Sequence, residues 1–353
     1  MTLDELKIMQ LTNQHLLAKT DCLTAARDLC GFQAQFYGNA FHCARIRCAG
    51  PMEEQAWGCG LLKSWTVRGT VHVFAESDLP LFIRRRLPPA QVCESGWYPF
   101  LEKNGYHVAP ERNAYFAELI VDSIAQGKGE REHLRALCRG HGMTEGEERH
   151  VFNQWGGTFA ALAGLGIIAY KVTKTKEYVL CEPFAPMDEE AAYTEITRRY
   201  FTHFGPATLR DCSYFLHQPQ MKLRGWLEGL PYHSFKLENK TYFYIKSGHT
   251  YAYDMPKCLF LAGFDQLMLG YEKKDSIYLR PQHLRGIFNV NGIVFPALLV
   301  DGEVVGRWKE GKKGITVTLF TELTAAQKNS ILDRTEELWP GYTAALEQMK
   351  EAG

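Results

Sequence analysis

The sequence has no excess of either charge, because its 353 residues include 40 basic and 40 acidic side chains. A uniformly basic surface that attracts nucleic acid everywhere is therefore not expected, although this balance does not exclude a locally basic face. No apolar run approaches the ~20 residues that span a bilayer. The N-terminal stretch MTLDELKIMQL also lacks the basic-then-apolar order of a signal peptide. These absences predict a cytoplasmic protein.

The chain contains ten cysteines but lacks the patterns of disulfide-rich or zinc-binding proteins. Without a signal peptide, cysteines in a chain of this length indicate buried, reduced thiols. Zinc sites prefer a C-x2-C pair, and no such pair occurs among the five N-terminal cysteines near His42: Cys22, Cys30, Cys43, Cys48 and Cys59. The glycine-spaced stretch AGLGIIA falls inside a predicted helix and does not indicate a phosphate-binding loop. We therefore expect no metal and no cofactor.

A recurring order of elements is present along the first 256 residues: amphipathic helices, a helix ending near glycine, and a hairpin-like stretch. The third copy is the clearest, because Gly205 ends one helix, Thr208 begins the next and Pro219 begins a third. Two β-rich runs then flank Asn239, which is typical of a hairpin. Helix, turn, helix and a two-stranded wing is the winged-helix arrangement. Three copies predict a tandem array.

The composition changes after residue 256, where short β-type runs are separated by Asn-Gly at 291–292 and Asp-Gly at 301–302. This pattern predicts a small, partly closed β-barrel, followed by a helical C-terminal segment that packs on it. The predicted fold class is α+β. We expect winged helices at residues 1–78, 79–184 and 185–256, and a β-barrel module with C-terminal helices at 257–353.

Five stretches carry a family resemblance: QAQ, RGTVH, GPATLRD, GFDQLMLG and FPALLVDGEVVGRWK. In this order, over almost the whole chain, they resemble the AlkZ/YcaQ-type winged-helix DNA glycosylases. Gln33-Ala34-Gln35 is similar to the Gln-Φ-Gln signature of the AlkZ-like branch, whereas the YcaQ-like branch carries Asp in place of Gln35. The chain departs from the family's Phe-Asp-Asn-Leu-Leu-Leu run at Gln266 and Met268.

The resemblance implies three tandem winged helices around a concave surface, plus the small β-barrel with a terminal helix. It also implies a bacterial, monofunctional DNA glycosylase that acts as a monomer on double-stranded DNA, associated with the nucleoid when active. Such an enzyme excises N-alkylated purines and unhooks interstrand crosslinks. The resemblance supports this reaction class better than any one lesion, and it makes Gln33 and Gln35 the candidate catalytic residues.

A glutamine pair can support this activity only if the backbone around it has a suitable conformation. Residues two apart on a helix face about 200° away from each other, so Gln33 and Gln35 act together only in an extended or turned segment. An N3- or N7-alkylated purine already carries positive charge and needs no general acid to leave. A glutamine carbonyl can orient the attacking water or lie against the cationic sugar. The bland alternative is that both glutamines only cap a helix or solvate a loop.

Several basic residues are candidates for DNA contact in the first half of the chain. Arg68, Thr70 and His72 alternate along a predicted strand and would share one face. Arg68 is expected on a phosphate, whereas His72 either faces DNA or is a satisfied, half-buried histidine. Arg84 and Arg85 belong to a run of three arginines, which either reaches the DNA backbone or forms a solvated, paired face.

Further candidates lie in the second half. Lys222 and Arg224 occupy the predicted recognition helix of the third unit, where interleaved apolar residues favour packing over groove reading. Arg285, Arg307 and Lys309 in the β-module are candidates for phosphate contacts.

Asp265 is the one carboxylate that could assist at the site, although an Asp in such a turn more often caps its own backbone. The main alternative for the whole chain is a non-catalytic winged-helix transcriptional regulator, which predicts an exposed basic recognition helix and a dimer on palindromic half-sites. A structural interaction protein, with both glutamines buried and hydrogen-bonded to each other, is a third hypothesis. Neutral net charge and the apolar helix around Leu223 favour the enzyme.

Overall fold

The computed structural model describes residues 1–53, 57–84, 86–94, 103, 108–153 and 157–349. Its helices are α1 (Leu3–Asn13), α2 (Cys22–Asp28), α3 (Tyr37–Arg45), α4 (Leu79–Phe82), α5 (Pro110–Ala125), α6 (Arg131–Gly140), α7 (Glu145–Val151), α8 (Gly157–Gly164), α9 (Glu189–His203), α10 (Leu209–Leu216), α11 (Gln220–Glu228), α12 (Gln266–Leu269), α13 (Leu284–Ile287) and α14 (Ala325–Leu338). Its strands are β1 (Phe32–Gln33), β2 (Leu61–Trp65), β3 (Val71–Ala75), β4 (Ile168–Tyr170), β5 (Tyr178–Leu180), β6 (His233–Leu237), β7 (Lys240–Tyr244), β8 (Cys258–Phe260), β9 (Ala297–Val300), β10 (Glu303–Glu310), β11 (Gly314–Leu319) and β12 (Thr343–Gln348).

The chain divides into two compact units. The terminal unit combines Met1–Met52 with Thr194–Gly353, and the middle unit is Glu53–Tyr193. Helix and strand content confirm the α+β class. The boundaries of the four predicted domains stay a prediction, since one compact unit can contain more than one domain.

The middle unit packs helices against an antiparallel sheet in which β3, β2, β4 and β5 are neighbours in that order. Helix α5 begins at Pro110, whose fixed φ suits a first turn. Helix α7 begins at a capping box of Thr144 and Glu147. The buried side chains that join helices to sheet include Phe116, Ile120, Leu134, Phe159, Ile168 and Tyr178.

The terminal unit contains the helix order predicted for the third copy. Helix α10 begins at a capping box of Thr208 and Asp211, and His217 ends it in the left-handed region. Helix α11 follows Pro219, and the hairpin β6–β7 turns at Glu238, which has φ +52°. Leu223, Trp226 and Leu227 are buried along α11.

The C-terminal β-module is an open sheet and not the barrel that the sequence predicts. Its strands run in the order β12-β11-β10-β9-β8. Within the described part of the chain, the edge strands β8 and β12 do not pair with each other. Strands β8 to β11 are antiparallel. Short turns join β9 to β10 and β10 to β11, whereas residues 261–296 connect β8 to β9.

The C-terminal segment was expected to be helical throughout, and this is wrong for its second half. Helix α14 ends at Leu338, and Pro340 with Gly341 (φ +81°) prevents its continuation. Residues 343–348 then form β12, which pairs in parallel with β11. The unpaired backbone groups at the edge of β11 override the helical propensity of Thr-Ala-Ala-Leu-Glu-Gln. Among the described residues, none of the helices combines the length and apolarity needed to cross a bilayer.

Candidate functional site

The segment that contains Gln33 and Gln35 leaves a helix abruptly. Helix α2 ends after Asp28, and the next turn places Cys30 at φ +54° and Gly31 at φ +88°. The amide of Gly31 donates to the carbonyl of Ala26 at 2.7 Å and closes the helix end. Because two consecutive left-handed residues stop the helix, the following residues are extended.

Gln33 and Gln35 therefore lie outside a helix, as their joint action requires. Gln33 is the second residue of β1, Gln35 lies in a bend, and α3 begins only at Tyr37. Their environments differ, since Gln33 is 8% exposed whereas Gln35 is exposed. The pair thus consists of one buried amide, on Gln33, and one amide accessible to solvent, on Gln35.

A loop at residues 263–266 supports this segment within the terminal unit. Gln266 is fully buried, and its Nε2 donates to the carbonyl of Gly31 at 2.9 Å. Phe264 stacks on Phe36 with ring centroids 5.9 Å apart. A Cβ added at Gly263 would lie 2.6 Å from the amide nitrogen of Asn39, so a larger residue there requires the Asn39 side chain to move. The loop thereby fixes the backbone on both sides of the glutamine pair.

Asp265 anchors the loop. Its carboxylate accepts two bonds from Arg47, at 2.7 and 3.0 Å, and both side chains are completely buried. It also caps α12, since Oδ1 accepts from the amide of Leu267 at 2.9 Å. Burial alone would raise the pKa of Asp265, but the Arg47 charge outweighs it and holds that pKa below its usual value. These contacts favour the capping alternative over direct help at the site.

A cleft of about 700 Å³ begins beside this segment, and Gly38, Asn39 and Gly263 form part of its wall. Arg307 and Lys309, both predicted DNA contacts, line it from strand β10. The Arg307 guanidinium lies over the Phe295 ring at 4.7 Å, and Lys309 is exposed. The structure thus brings two predicted cations together with the chain that follows Gln35.

His42 helps to form the wall of the cleft. Its ring lies parallel to Trp339 at 5.5 Å and contacts Trp308 at 4.9 Å. Nε2 is 2.7 Å from the carbonyl of Phe260 and donates to it. Burial lowers the pKa of His42 to about 4, so the ring is neutral at physiological pH.

The hairpin β2–β3 corrects the sequence-based placement of two other candidates. Arg68 and Thr70 lie in the turn and not on a strand, because Gly69 (φ +73°) permits a tight connection after Trp65. His72 lies on β3. One face of a strand therefore does not carry all three side chains.

Arg68 and His72 are buried together in the middle unit. Arg68 Nη1 donates to His72 Nε2 at 3.0 Å, so the ring proton sits on Nδ1 and is donated to the carbonyl of Thr70 at 3.0 Å. Burial, followed by the Arg68 charge, lowers the pKa of His72 well below its usual value. This geometry matches the satisfied-histidine alternative. Their contact with DNA stays a prediction.

The remaining candidates occupy separate places. Arg84 donates to the carbonyl of Leu81 at 2.9 Å and lies over the Tyr193 ring, while Arg85 is outside the described residues. Lys222 and Arg224 are exposed on α11, although its apolar face is packed as expected. Arg285 is exposed on α13. Their DNA contacts also stay predictions.

The expectation of buried thiols holds for seven of the ten cysteines: Cys30, Cys43, Cys48, Cys138, Cys181, Cys212 and Cys258. Cys22 and Cys93 are half-buried and Cys59 is exposed. Cys43 Sγ accepts from Arg47 at 3.1 Å, so this thiol belongs to the anchor of the 263–266 loop.

Comparison with known proteins identifies the family. The model of the DNA glycosylase AlkZ-like family matches residues 26–340. The chain belongs to this family. An AlkZ-like relative, the interstrand DNA cross-link repair glycosylase of Streptomyces sahachiroi, is 25% identical over 319 residues, 83% of each chain.

A solved structure shares the AlkZ-like fold. Streptomyces sahachiroi DNA glycosylase AlkZ matches with a TM-score of 0.74 at 19% identity, covering 99% of this chain and 100% of that one. The sequence reasoning proposed the glutamine pair, which stays a prediction; it did not single out Arg47 or Asn39, and it noted Gln266 only as a departure from a motif. Arg47 had only a weak signal: it is one of two arginines in the stretch ARIRCAG, and an arginine requires a partner when it is buried.

Proposed function

We propose that this AlkZ-like chain is a monofunctional DNA glycosylase that hydrolyses the N-glycosidic bond of cationic N-alkylated purines in double-stranded DNA. Its substrates include purines joined in interstrand crosslinks. The observation that carries the proposal is the non-helical Gln33-Ala34-Gln35 segment, braced by the 263–266 loop beside a cleft lined by Arg307 and Lys309.

The reaction divides between the substrate and the two amides. The bond from C1′ to N9 of the purine breaks, and its electron pair passes into the ring and neutralises the positive charge that alkylation at N3 or N7 created. Water oxygen bonds to C1′, and its proton passes to solvent. A glutamine carbonyl accepts a hydrogen bond from that water or lies against the cationic sugar, but it takes no proton. Unmodified purines are spared because their departure requires an acid that an amide does not supply.

Burial assigns different roles to the two glutamines. Gln33, at 8% exposure, has little rotamer freedom and presents its amide in a fixed direction. Gln35 is exposed at the bend and can approach the sugar of a bound nucleotide. We assign water orientation to Gln33 and stabilisation of the sugar cation to Gln35.

DNA binding follows from exposed cations around a winged-helix architecture. Helices α9 to α11 with the hairpin β6–β7 have the order of a winged helix, and α11 exposes Lys222 and Arg224. Lys309 and Arg285 on the β-module supply further phosphate contacts. An exposed basic helix alone would also fit a regulator, so the decisive readout is base release.

The test is excision from a duplex that contains a single 7-alkylguanine. Abasic product is measured after alkaline cleavage for the wild type, Gln33→Ala and Gln35→Ala, with DNA binding followed by fluorescence anisotropy. Gln126→Ala is a matched control, since Gln126 is exposed in the middle unit. We expect base release by the wild type and the control, and a loss on the order of 10²-fold in each site variant at unchanged binding. Binding without release by the wild type, on monoadduct and crosslink alike, would favour the regulator.

A further inference from the structure

Three helix ends in the terminal unit bring two histidines and one carboxylate together. His15 directly follows the C-cap of α1, Asp28 is the last residue of α2, and His203 is the last residue of α9. His15 Nε2 is 2.8 Å from Asp28 Oδ2, and His203 Nε2 is 3.3 Å from Asp28 Oδ1. One ligand atom from each residue lies within 4.8 Å of the other two.

The choice of histidine at position 15 is unusual for its backbone. His15 has φ +60° at the end of α1, where glycine or asparagine is preferred. The left-handed conformation costs a β-carbon-bearing residue roughly 1–2 kcal/mol. Its ring is only 2% exposed and faces the cluster. We infer that histidine is retained here for its imidazole, although glycine or asparagine would end the helix with less strain.

His15 has an oxygen acceptor on each side of its ring. Nδ1 lies 3.2 Å from the carbonyl of Ala18, and Nε2 lies 2.8 Å from Asp28 Oδ2. A neutral imidazole carries one ring proton, so it can donate to one of these oxygens but not to both. A cation bound between Nε2 and Asp28 satisfies that side while Nδ1 donates the ring proton to Ala18. A histidine whose other nitrogen donates to a backbone carbonyl is the usual form of a metal ligand.

We propose that His15, Asp28 and His203 bind one divalent transition-metal ion of the Zn²⁺ class. Two imidazoles and one carboxylate form a donor set that zinc accepts in tetrahedral sites with a further ligand. Bonds of 2.0–2.2 Å to a tetrahedral ion separate its ligand atoms by about 3.3–3.6 Å. His203 Nε2 lies 3.3 Å from Asp28 Oδ1, whereas His15 Nε2 lies 2.8 Å from the other oxygen, Oδ2, so metal binding requires the three side chains to adjust around one ion.

The surroundings offer a further imidazole and a path of entry. The half-buried His249 ring lies edge-on to His15, with centroids 5.6 Å apart. Asp28 is 23% exposed, so its side of the cluster is open to ions. The metal would fasten α1, α2 and α9 immediately before the Cys30–Gly31 turn that leads to Gln33. Its role is structural, and the proposal does not depend on the glycosylase activity.

The test uses the full chain after removal of metal with a chelator. Zn²⁺ is titrated by calorimetry, and Co²⁺ by absorption, into the wild type, Asp28→Asn and His203→Gln. His283→Gln is the matched control, because His283 stacks on Phe320 outside the cluster. We expect one equivalent bound by the wild type and the control, at least a tenfold loss in both cluster variants, and a rise in wild-type Tm of roughly 5 °C in excess Zn²⁺.

Two results would overturn the proposal. One is the absence of saturable Zn²⁺ binding by the wild type. The other is a Co²⁺ spectrum with intense thiolate bands that persists in Asp28→Asn, which would assign the metal to cysteines. The wild-type spectrum decides this even where a variant fails to fold, since imidazole and carboxylate ligands give no thiolate band.

Discussion

Arg47 and Asp265 form a doubly hydrogen-bonded ion pair across 218 residues of sequence, and neither side chain is exposed to solvent. Arg47 also donates to the carbonyls of Gln14 and Cys43, at 3.1 and 3.0 Å. One guanidinium thus connects α1, α3 and the 263–266 loop. Since this loop holds the backbone at Gly31, the pair determines the position of the glutamine segment without lying in the cleft.

Replacing Asp265 by Asn leaves Arg47 charged, buried and uncompensated. We expect the free energy of unfolding of Asp265→Asn to fall by about 3–5 kcal/mol. Denaturant unfolding measures this loss, and the exposed Arg280–Glu303 pair provides a control, since Glu303→Gln should cost less than about 1 kcal/mol. Equal losses in the two variants would contradict the anchoring role. Because the folded-state pKa of Asp265 is lowered, its stabilisation is fully present above pH ~4 and is lost as pH falls through the folded value.

Gln266→Ala removes the side chain that holds the Gly31 carbonyl. Since this contact positions the glutamine pair but does not contact DNA in our proposal, we expect kcat for base excision to fall about tenfold with little change in KM. Single-turnover excision measures the step. Gln282→Ala, an exposed glutamine of the same unit, should behave as the wild type. A rise in KM alone would instead make Gln266 a binding residue.

Gly263→Ala tests the close approach of the loop to α3. The added Cβ would lie 2.6 Å from Asn39 Nδ2, so the Asn39 amide must move. We expect a loss of about 1 kcal/mol in stability and a measurable drop in excision. Asn39→Ala in the same chain removes the clash and should recover most of the stability. If the double variant is no more stable than Gly263→Ala, the destabilisation does not come from the contact with Asn39.

His42 is expected to make the terminal unit sensitive to acid. Its pKa is about 4 in the fold against an unfolded value near 6.5. The unfolded chain therefore binds a proton over pH 4–6.5 that the folded chain does not, so stability falls as pH decreases through this window, by up to on the order of 3 kcal/mol. His42→Phe retains ring stacking and should flatten this part of the profile. Thermal unfolding between pH 4 and 8 checks it, and an unchanged slope would exclude His42 as the titrating group.

Lys309 is expected to contact a phosphate through its exposed ammonium. Lys309→Ala should weaken DNA binding about equally for all sequences and reduce the slope of log K against log salt by roughly 1. Anisotropy titrations over a salt series measure both. Lys246→Ala removes an exposed lysine of the same unit and serves as the control. A reduced slope in the control alone would move the phosphate contact to Lys246.

Local signals were sufficient to predict the main features of this chain. The spacing of Gln33 and Gln35 required a non-helical segment for joint action, and Pro219 with the run around Asn239 indicated α11 and its hairpin. Such features depend on the preferences of a few adjacent residues for φ, capping or a turn, so they can be read from sequence.

Features that depend on distant partners could not be read in this way. Asp265 was a candidate helper because nothing near it in sequence indicates Arg47. The helical propensity of residues 343–348 concealed a strand that exists only because β11 offers an open edge. His15, Asp28 and His203 come from three helices, and their approach is a result of packing.

The terminal unit is discontinuous in sequence, with the middle unit inserted between its two parts. During synthesis, residues 53–193 therefore emerge complete while the segment around Gln33 still lacks Asp265 and Gln266. Domains form as units while the chain is made, and long-range pairs close late. The inserted middle unit is therefore expected to fold before the terminal unit. The arrangement that gives Gln33 and Gln35 their chemistry is among the last to be completed.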